Sequence, residues 1–136
     1  MSARMVKVFV VGAVAGLSIL LSGLPASAHH SVALQYDMTK EITVVGTIVD
    51  LEWRNPHAWL HLEAENDGGE LELWRIEFGS ANSLYRRGWR PDNLPVGSIV
   101  TVHGLPARDG SRSIDGEEVT LADGTTLFSG TNPEDR

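Results

Sequence analysis

The chain has 136 residues, 18 acidic against 11 basic side chains for a net charge of −7, and no cysteine. That length accommodates one ordinary domain, and the missing cysteines exclude disulfides, thiolate metal sites and a cysteine nucleophile. The acidic balance argues against a nucleic-acid partner, because phosphate binding runs on clustered Lys and Arg.

Residues 1–28 read as an export signal. Arg4 and Lys7 precede an apolar run from Val8 to Leu21, and Pro25-Ala26-Ser27-Ala28 offers small residues at the cleavage positions. A retained membrane anchor is the rival reading. A spanning helix needs about 20 apolar residues, and this run stops short at Ser22-Gly23-Leu24-Pro25. Cleavage after Ala28 makes His29 the first mature residue and deepens the charge to −9 by removing Arg4 and Lys7. The expected location is then periplasmic or secreted, with no membrane contact after cleavage.

Residues 29–40 are polar and aperiodic and predict an extended N-terminal arm. Residues 41–53 are rich in β-branched side chains and predict a long strand, with Gly46 marking a bulge or sharp bend. Residues 57–65 admit two readings. Asn55-Pro56 could open a helix that puts His57 and His61 on one face. The alternation of Ala58, Leu60, Leu62 and Ala64 with His57, Trp59, His61, Glu63 and Glu65 instead has the strand period, and Asn66-Asp67-Gly68-Gly69 is a hairpin turn. The hairpin is preferred, with Leu71–Phe78 as its second strand. A short helix follows between Phe78 and Gly88, capped by Ser80. Residues 98–105 form a further strand, 106–111 a loop, and 117–121 with 125–128 a last hairpin. Residues 41–128 make the domain and 129–136 a loose tail. The expected core includes Val44, Ile48, Leu60, Leu62, Ile76, Val100 and Val102. This order of elements predicts a mostly β fold, a small OB-fold-like Greek-key barrel with one short helix.

Several short motifs run through the chain: His29-His30-Ser31, Tyr36-Asp37, Gly46-Thr47-Ile48, Trp53-Arg54-Asn55-Pro56-His57, Gly88-Trp89, Pro95-Val96-Gly97 and Pro106-Ala107-Arg108-Asp109-Gly110. In this combination the chain resembles DUF6152, a family of small exported bacterial proteins of unknown function. The resemblance implies export and a small β domain. It supplies no activity and no catalytic residues.

The chemistry must therefore be read from the residues themselves. A mature His29 carries an α-amine and an imidazole that can chelate one ion, which resembles the histidine brace of exported copper proteins. The amine's pKa is about 8, so copper(II) can displace its proton near neutrality. His30 adds a second imidazole; the competing reading is a polar arm that begins with two histidines. On a strand, His57 and His61 share a face but stand about 13 Å apart, too far to bind one ion directly through bonds of about 2 Å. One of them, His57 in particular, could complete a site begun by the arm, or could simply orient the Asn-Pro turn. His103 reads as semi-buried packing. Imidazole and carboxylate ligands, with Asp37 as an oxygen donor, suit copper(II) first and zinc second.

Trp53 and Trp59, with Asn55 between them, form a candidate ligand face, against the reading of tryptophans as core and rim. No Gly-rich phosphate loop, nucleophile elbow or zinc-protease motif occurs. The expectation is a non-enzymatic metal-binding protein whose partner is a metal ion or small ligand. Its alternatives are a metal-free module that binds a peptide, saccharide or periplasmic partner protein, and a copper-dependent oxidoreductase.

Overall fold

A computed structural model describes residues 28–129. The expected signal segment with its cleavage point, and tail residues 130–136, lie outside the described residues. Helix α1 spans Ala28–Gln35, strand β1 Ile42–Glu52, β2 Trp59–Glu65, β3 Leu71–Glu77, helix α2 Ala81–Arg86, β4 Ile99–Pro106, β5 Ser113–Leu121 and β6 Thr126–Phe128, with a 3-10 turn at Pro91–Asn93. Among the described residues no helix is long and apolar enough to cross a membrane.

The strands follow the order β3-β2-β1-β4-β5-β6, and β3 also pairs with β5. That extra pairing is parallel, while all the other ladders are antiparallel. Strands β1 to β5 thus close into a five-stranded barrel, and β6 extends one side as a hairpin partner of β5. The fold is mostly β and OB-like, with α2 between β3 and β4.

Strand β1 serves two sides of the barrel. Ile42 to Thr47 pair with β4 and Thr47 to Glu52 with β2. Gly46 lies at this changeover, where a Cβ would stand 2.8 Å from the Glu63 carbonyl oxygen. The ladder irregularity itself falls between Ile48 and Asp50, so Gly46 marks a close approach and the bulge comes slightly later.

Alternation places Val44, Ile48, Leu60, Leu62, Ile76, Val100 and Val102 in the barrel, as expected, joined by Phe78, Leu84, Trp89, Ile114 and Val119. Burying each large apolar side chain is worth about 1.5–3 kcal/mol, so a barrel of this size holds without disulfides. Trp89 is fully buried, meets Phe78 edge-on at 5.1 Å and donates its indole N–H to the Phe128 carbonyl at 2.9 Å. Ser80 caps α2 by accepting from the Ser83 amide, and Gly88 turns out of it at φ 92°.

Two expectations need correction. The N-terminal arm is not extended, since Ala28–Gln35 is helical. Its last carbonyls are satisfied from afar: Arg108 donates its backbone N–H to Gln35 and its Nε–H to Ala33, both at 2.9 Å. Tyr36 then bridges to Ala107. Strand β5 also begins at Ser113, well before residue 117, because Ser113 to Asp115 form the parallel ladder that closes the barrel.

Candidate functional site

Side chains alternate across a strand, so the residues between the core positions of β1, β2, β3 and β5 form rows on the barrel's outer face. In one row Glu52 stands opposite Trp59, Trp59 opposite Glu77, and Glu77 opposite Asp115. In the next, Asp50 is opposite His61, His61 opposite Arg75, and Arg75 opposite Ser113. Two acid-and-imidazole groups grow from these rows.

The first is centred on Glu77. The buried Tyr36 donates its hydroxyl to Glu77 Oε2 at 2.6 Å. Burial, reinforced by this hydrogen bond, pushes the phenol's pKa up, so it remains a donor. The other Glu77 oxygen lies 3.1 Å from His57 Nδ1, which is also 3.3 Å from the Phe78 carbonyl. A carbonyl can only accept, so Nδ1 carries the hydrogen and the neutral ring keeps Nε2 as its lone-pair nitrogen. The His57 side chain is 53% exposed. Asp115 flanks the group, and its pKa is raised to about 6 by burial first, then by the Glu77 and Glu117 carboxylates.

The second group is Asp50, Glu52 and His61, whose ligand atoms lie within 4.8 Å of one another. Its members are already engaged. His61 Nε2 donates to Glu52 Oε1 at 2.8 Å, and Arg54 holds Oε2 at 2.7 Å. The His61 hydrogen bond, with the Arg54 charge behind it, lowers the Glu52 pKa.

Between the groups the Arg75 guanidinium lies over the Trp59 ring, 4.5 Å from its centroid. Both residues border a cleft of about 460 Å³, together with Tyr36, Arg108, Ser111 and Ser113.

The sequence-derived candidates distribute unevenly over this face. His57 and His61 share it but bond to different carboxylates, as their strand spacing required. Trp59 is on the face, whereas Trp53 and Trp74 pack half-buried against the core. Asn55 accepts the Asn82 N–H at 3.1 Å, so it serves the first turn of α2. His103 sits away from this face, with Nδ1 3.1 Å from the Thr43 hydroxyl and Nε2 3.7 Å from Glu41. His29 and His30 fall in α1, and their side chains lie outside what is described. Asp37 Oδ2 pairs with Lys40 at 3.1 Å, and hydrogen bonds from Thr39 hold its carboxyl at about 2. Sequence reasoning missed Tyr36, Glu77, Asp115 and Arg75 as site residues. The outward alternation of Arg75 and Glu77 on β3 was the available signal.

Residues 17–116 match a family of unknown function, DUF6152. A search of curated proteins finds no match to the chain. Among solved structures, the chain is similar to the N-terminal domain of the PriB protein from Thermoanaerobacter tencongensis, with 17% identity, a TM-score of 0.44, and 62% of this chain and 97% of that chain covered. It is also similar to the mitochondrial single-stranded DNA-binding protein Rim1 from S. cerevisiae, with 15% identity, a TM-score of 0.45, and 67% and 97% covered. The exclusion of a nucleic-acid partner is corrected by this finding, since a structure like this one belongs to a single-stranded DNA-binding protein. The exclusion rested on whole-chain charge, which does not describe a single face: Arg75 and Arg108 border one cleft of an acidic protein. Likeness at this level speaks to the fold and leaves open what this chain binds.

Proposed function

The chain belongs to the DUF6152 family of unknown function, and we propose that this member is an exported, non-enzymatic barrel that binds one copper(II) ion through His29 and His57. The amine and ring of a mature His29 supply two nitrogens, and Nε2 of His57 supplies a third. His30 and His61 stand as neighbouring imidazoles rather than as required ligands. Zinc suits the same donors less well, because copper(II) outranks it on nitrogen ligands.

The observation that carries this reading is the setting of His57. Its Nδ1–H is held by Glu77 and the Phe78 carbonyl, while Nε2 belongs to a half-exposed side chain. Metal-binding histidines characteristically donate their other N–H to a carboxylate or carbonyl, which fixes the ring and raises its basicity. The same Glu77 accepts from Tyr36, the residue that follows the helix bearing His29. Seven residues of helix separate His29 from Tyr36, a rise of about 10 Å, so the arm starts from the group it would complete.

Copper(II) titration by calorimetry tests the reading. The exported protein should have the mass of residues 29–136. One Ala added ahead of His29 should weaken copper binding at least tenfold while leaving every side chain intact. His57→Ala should weaken it more than His103→Ala. Equal affinity of the extended and native proteins would remove His29 from the site. No binding by either would favour a metal-free interaction module.

A further inference from the structure

The cleft beside Trp59 uses none of the residues proposed to touch metal. The chain carries an excess of acid, yet this cleft is bordered by two arginines and one acid, Asp109. Asp109 spends a carboxylate oxygen on its own loop, accepting the Ser111 amide at 2.9 Å. Hydrogen bonds from the Ser111 side chain first, and then from its amide, lower the Asp109 pKa.

The two arginines are held in place while their hydrogen-bonding forks stay available. Arg75 is exposed, holds its guanidinium carbon over the Trp59 ring, and forms no ion pair among the described residues. Arg108 is exposed and uses its Nε on the Ala33 carbonyl, which fixes the side chain and leaves its terminal amino groups without a hydrogen-bond partner among the described residues. A planar guanidinium with free N–H groups matches a carboxylate in two-point geometry, and immobilising it beforehand reduces the entropy lost on binding. Leu34, Ala107 and the Trp59 indole supply an apolar wall. A volume of about 460 Å³ falls in the range of small-molecule sites, roughly 300–1,000 Å³, and far exceeds a bare ion.

We propose that this cleft binds a small amphiphilic acid, with Arg75 and Arg108 taking its oxyanion and Trp59, Leu34 and Ala107 receiving its ring or short apolar body. The arginines fit a carboxylate or a phosphate head. The apolar wall is what separates such an acid from inorganic phosphate.

The test is an NMR titration of full-length mature protein, freed of metal on a chelating resin, with benzoate, benzamide, phenyl phosphate and inorganic phosphate at fixed ionic strength. The signals read are the Nε–H of Arg75 and Arg108 and the indole N–H of Trp59. Benzoate or phenyl phosphate should shift them saturably, and whichever binds more tightly identifies the head group. Benzamide, lacking charge, and inorganic phosphate, lacking a ring, should each bind at least tenfold more weakly. Arg75→Gln should weaken the better acid at least fivefold. That variant leaves the Arg108 hydrogen bonds to α1 in place, so it stays interpretable where Arg108→Gln loosens the helix. Benzamide or inorganic phosphate binding as well as the ring acids would overturn the proposal, as would an unchanged affinity in Arg75→Gln. A thymidine oligonucleotide that displaces the acids at lower concentration would overturn it in favour of a nucleic-acid site. Because metal is absent and no histidine is altered, failure here leaves the copper reading untouched, and failure of the copper titration leaves this one standing.

Discussion

The outer face carries two groups built from the same parts, one imidazole and two carboxylates, and they behave differently. Around His61 the ring is only 15% exposed, and the Glu52 carboxylate is shared with Arg54 at 2.7 Å. Both Glu52 oxygens are engaged, by His61 and by Arg54, so a metal ion would have to displace existing partners. Around His57 the ring is half-exposed, one nitrogen is pinned by Glu77, and Glu77 has no ion-pair partner but His57 among the described residues. Asp115 is held there at a pKa of about 6 because burial and two neighbouring carboxylates oppose its charge. A group whose negative charge is unrelieved is the one that gains most from an incoming cation. Clustering of ligand atoms, taken alone, picks the His61 group; partner occupancy and charge pick the other.

The widest separation between the two groups should appear in copper(II) affinity. Glu77→Gln removes the charge behind His57 and weakens the hold on its Nδ1–H. Loss of such an outer partner typically costs 10–100-fold in metal affinity. Glu52→Gln should change affinity by less than about threefold, on the same principle that only the partner of a ligating ring matters. Calorimetric titration of the two variants side by side decides between the groups. If Glu52→Gln is the damaging change, the metal belongs to the Asp50–Glu52–His61 group and the roles of the two histidines are reversed.

A smaller effect is expected when the arm is cut loose from the first group. Tyr36 is buried and its hydroxyl lies 2.6 Å from Glu77. Hydrogen bonds to charged partners contribute about 1.5–3 kcal/mol, and partial solvation of Glu77 lowers that, so Tyr36→Phe should destabilise the domain by about 1–2 kcal/mol. Urea unfolding measures the loss. Native-state amide exchange sharpens it: exchange within α1 should accelerate in Tyr36→Phe, while β1 amides beside Glu52 keep their protection. Uniform acceleration would mean that Tyr36 supports the whole barrel and gives the arm no private tether.

The contrast between the groups also marks how far the sequence could be read. The barrel was legible because its signals are local: alternation along β2, the Asn66 turn, the Ser80 cap. His61 and Trp59 fell on the outward side of that alternation for the same reason. The Glu77 group was not legible, since it depends on contacts that no local period encodes. Glu77 meets Asp115 only through the parallel β3–β5 ladder, and Tyr36 reaches Glu77 only once the arm has docked on Ala107. The helix before Tyr36 was missed on similar grounds. Its polar, aperiodic sequence has no amphipathic stripe, and its last carbonyls are satisfied by Arg108, more than seventy residues away.

The finest distinction between the groups is their response to pH, seen in metal-free protein through Asp115→Asn. Asp115 has its pKa raised from 3.8 to about 6 in the folded chain, by burial first and by Glu77 and Glu117 next, with His57 opposing them. The folded state therefore holds this proton more tightly than the unfolded state does. Its contribution to stability is complete below about pH 3.8 and is lost as pH rises through about 6. Asparagine cannot ionise, so Asp115→Asn should be more stable than the parent at pH 7.5, by on the order of 1 kcal/mol once solvent screening at a half-buried position is allowed for. The difference should shrink towards zero near pH 4. Glu52 runs the other way: its pKa is lowered by His61 and Arg54, so its contribution is present at neutral pH and is lost in acid as pH falls through that lowered value. Urea midpoints at half-unit steps from pH 4 to 8 read the Asp115 difference, and extending them below pH 4 reads the loss at Glu52. Parallel curves for the parent and Asp115→Asn would mean that the Asp115 carboxyl is well solvated. The unrelieved charge that sets the His57 group apart would then have to be sought in Glu77 alone.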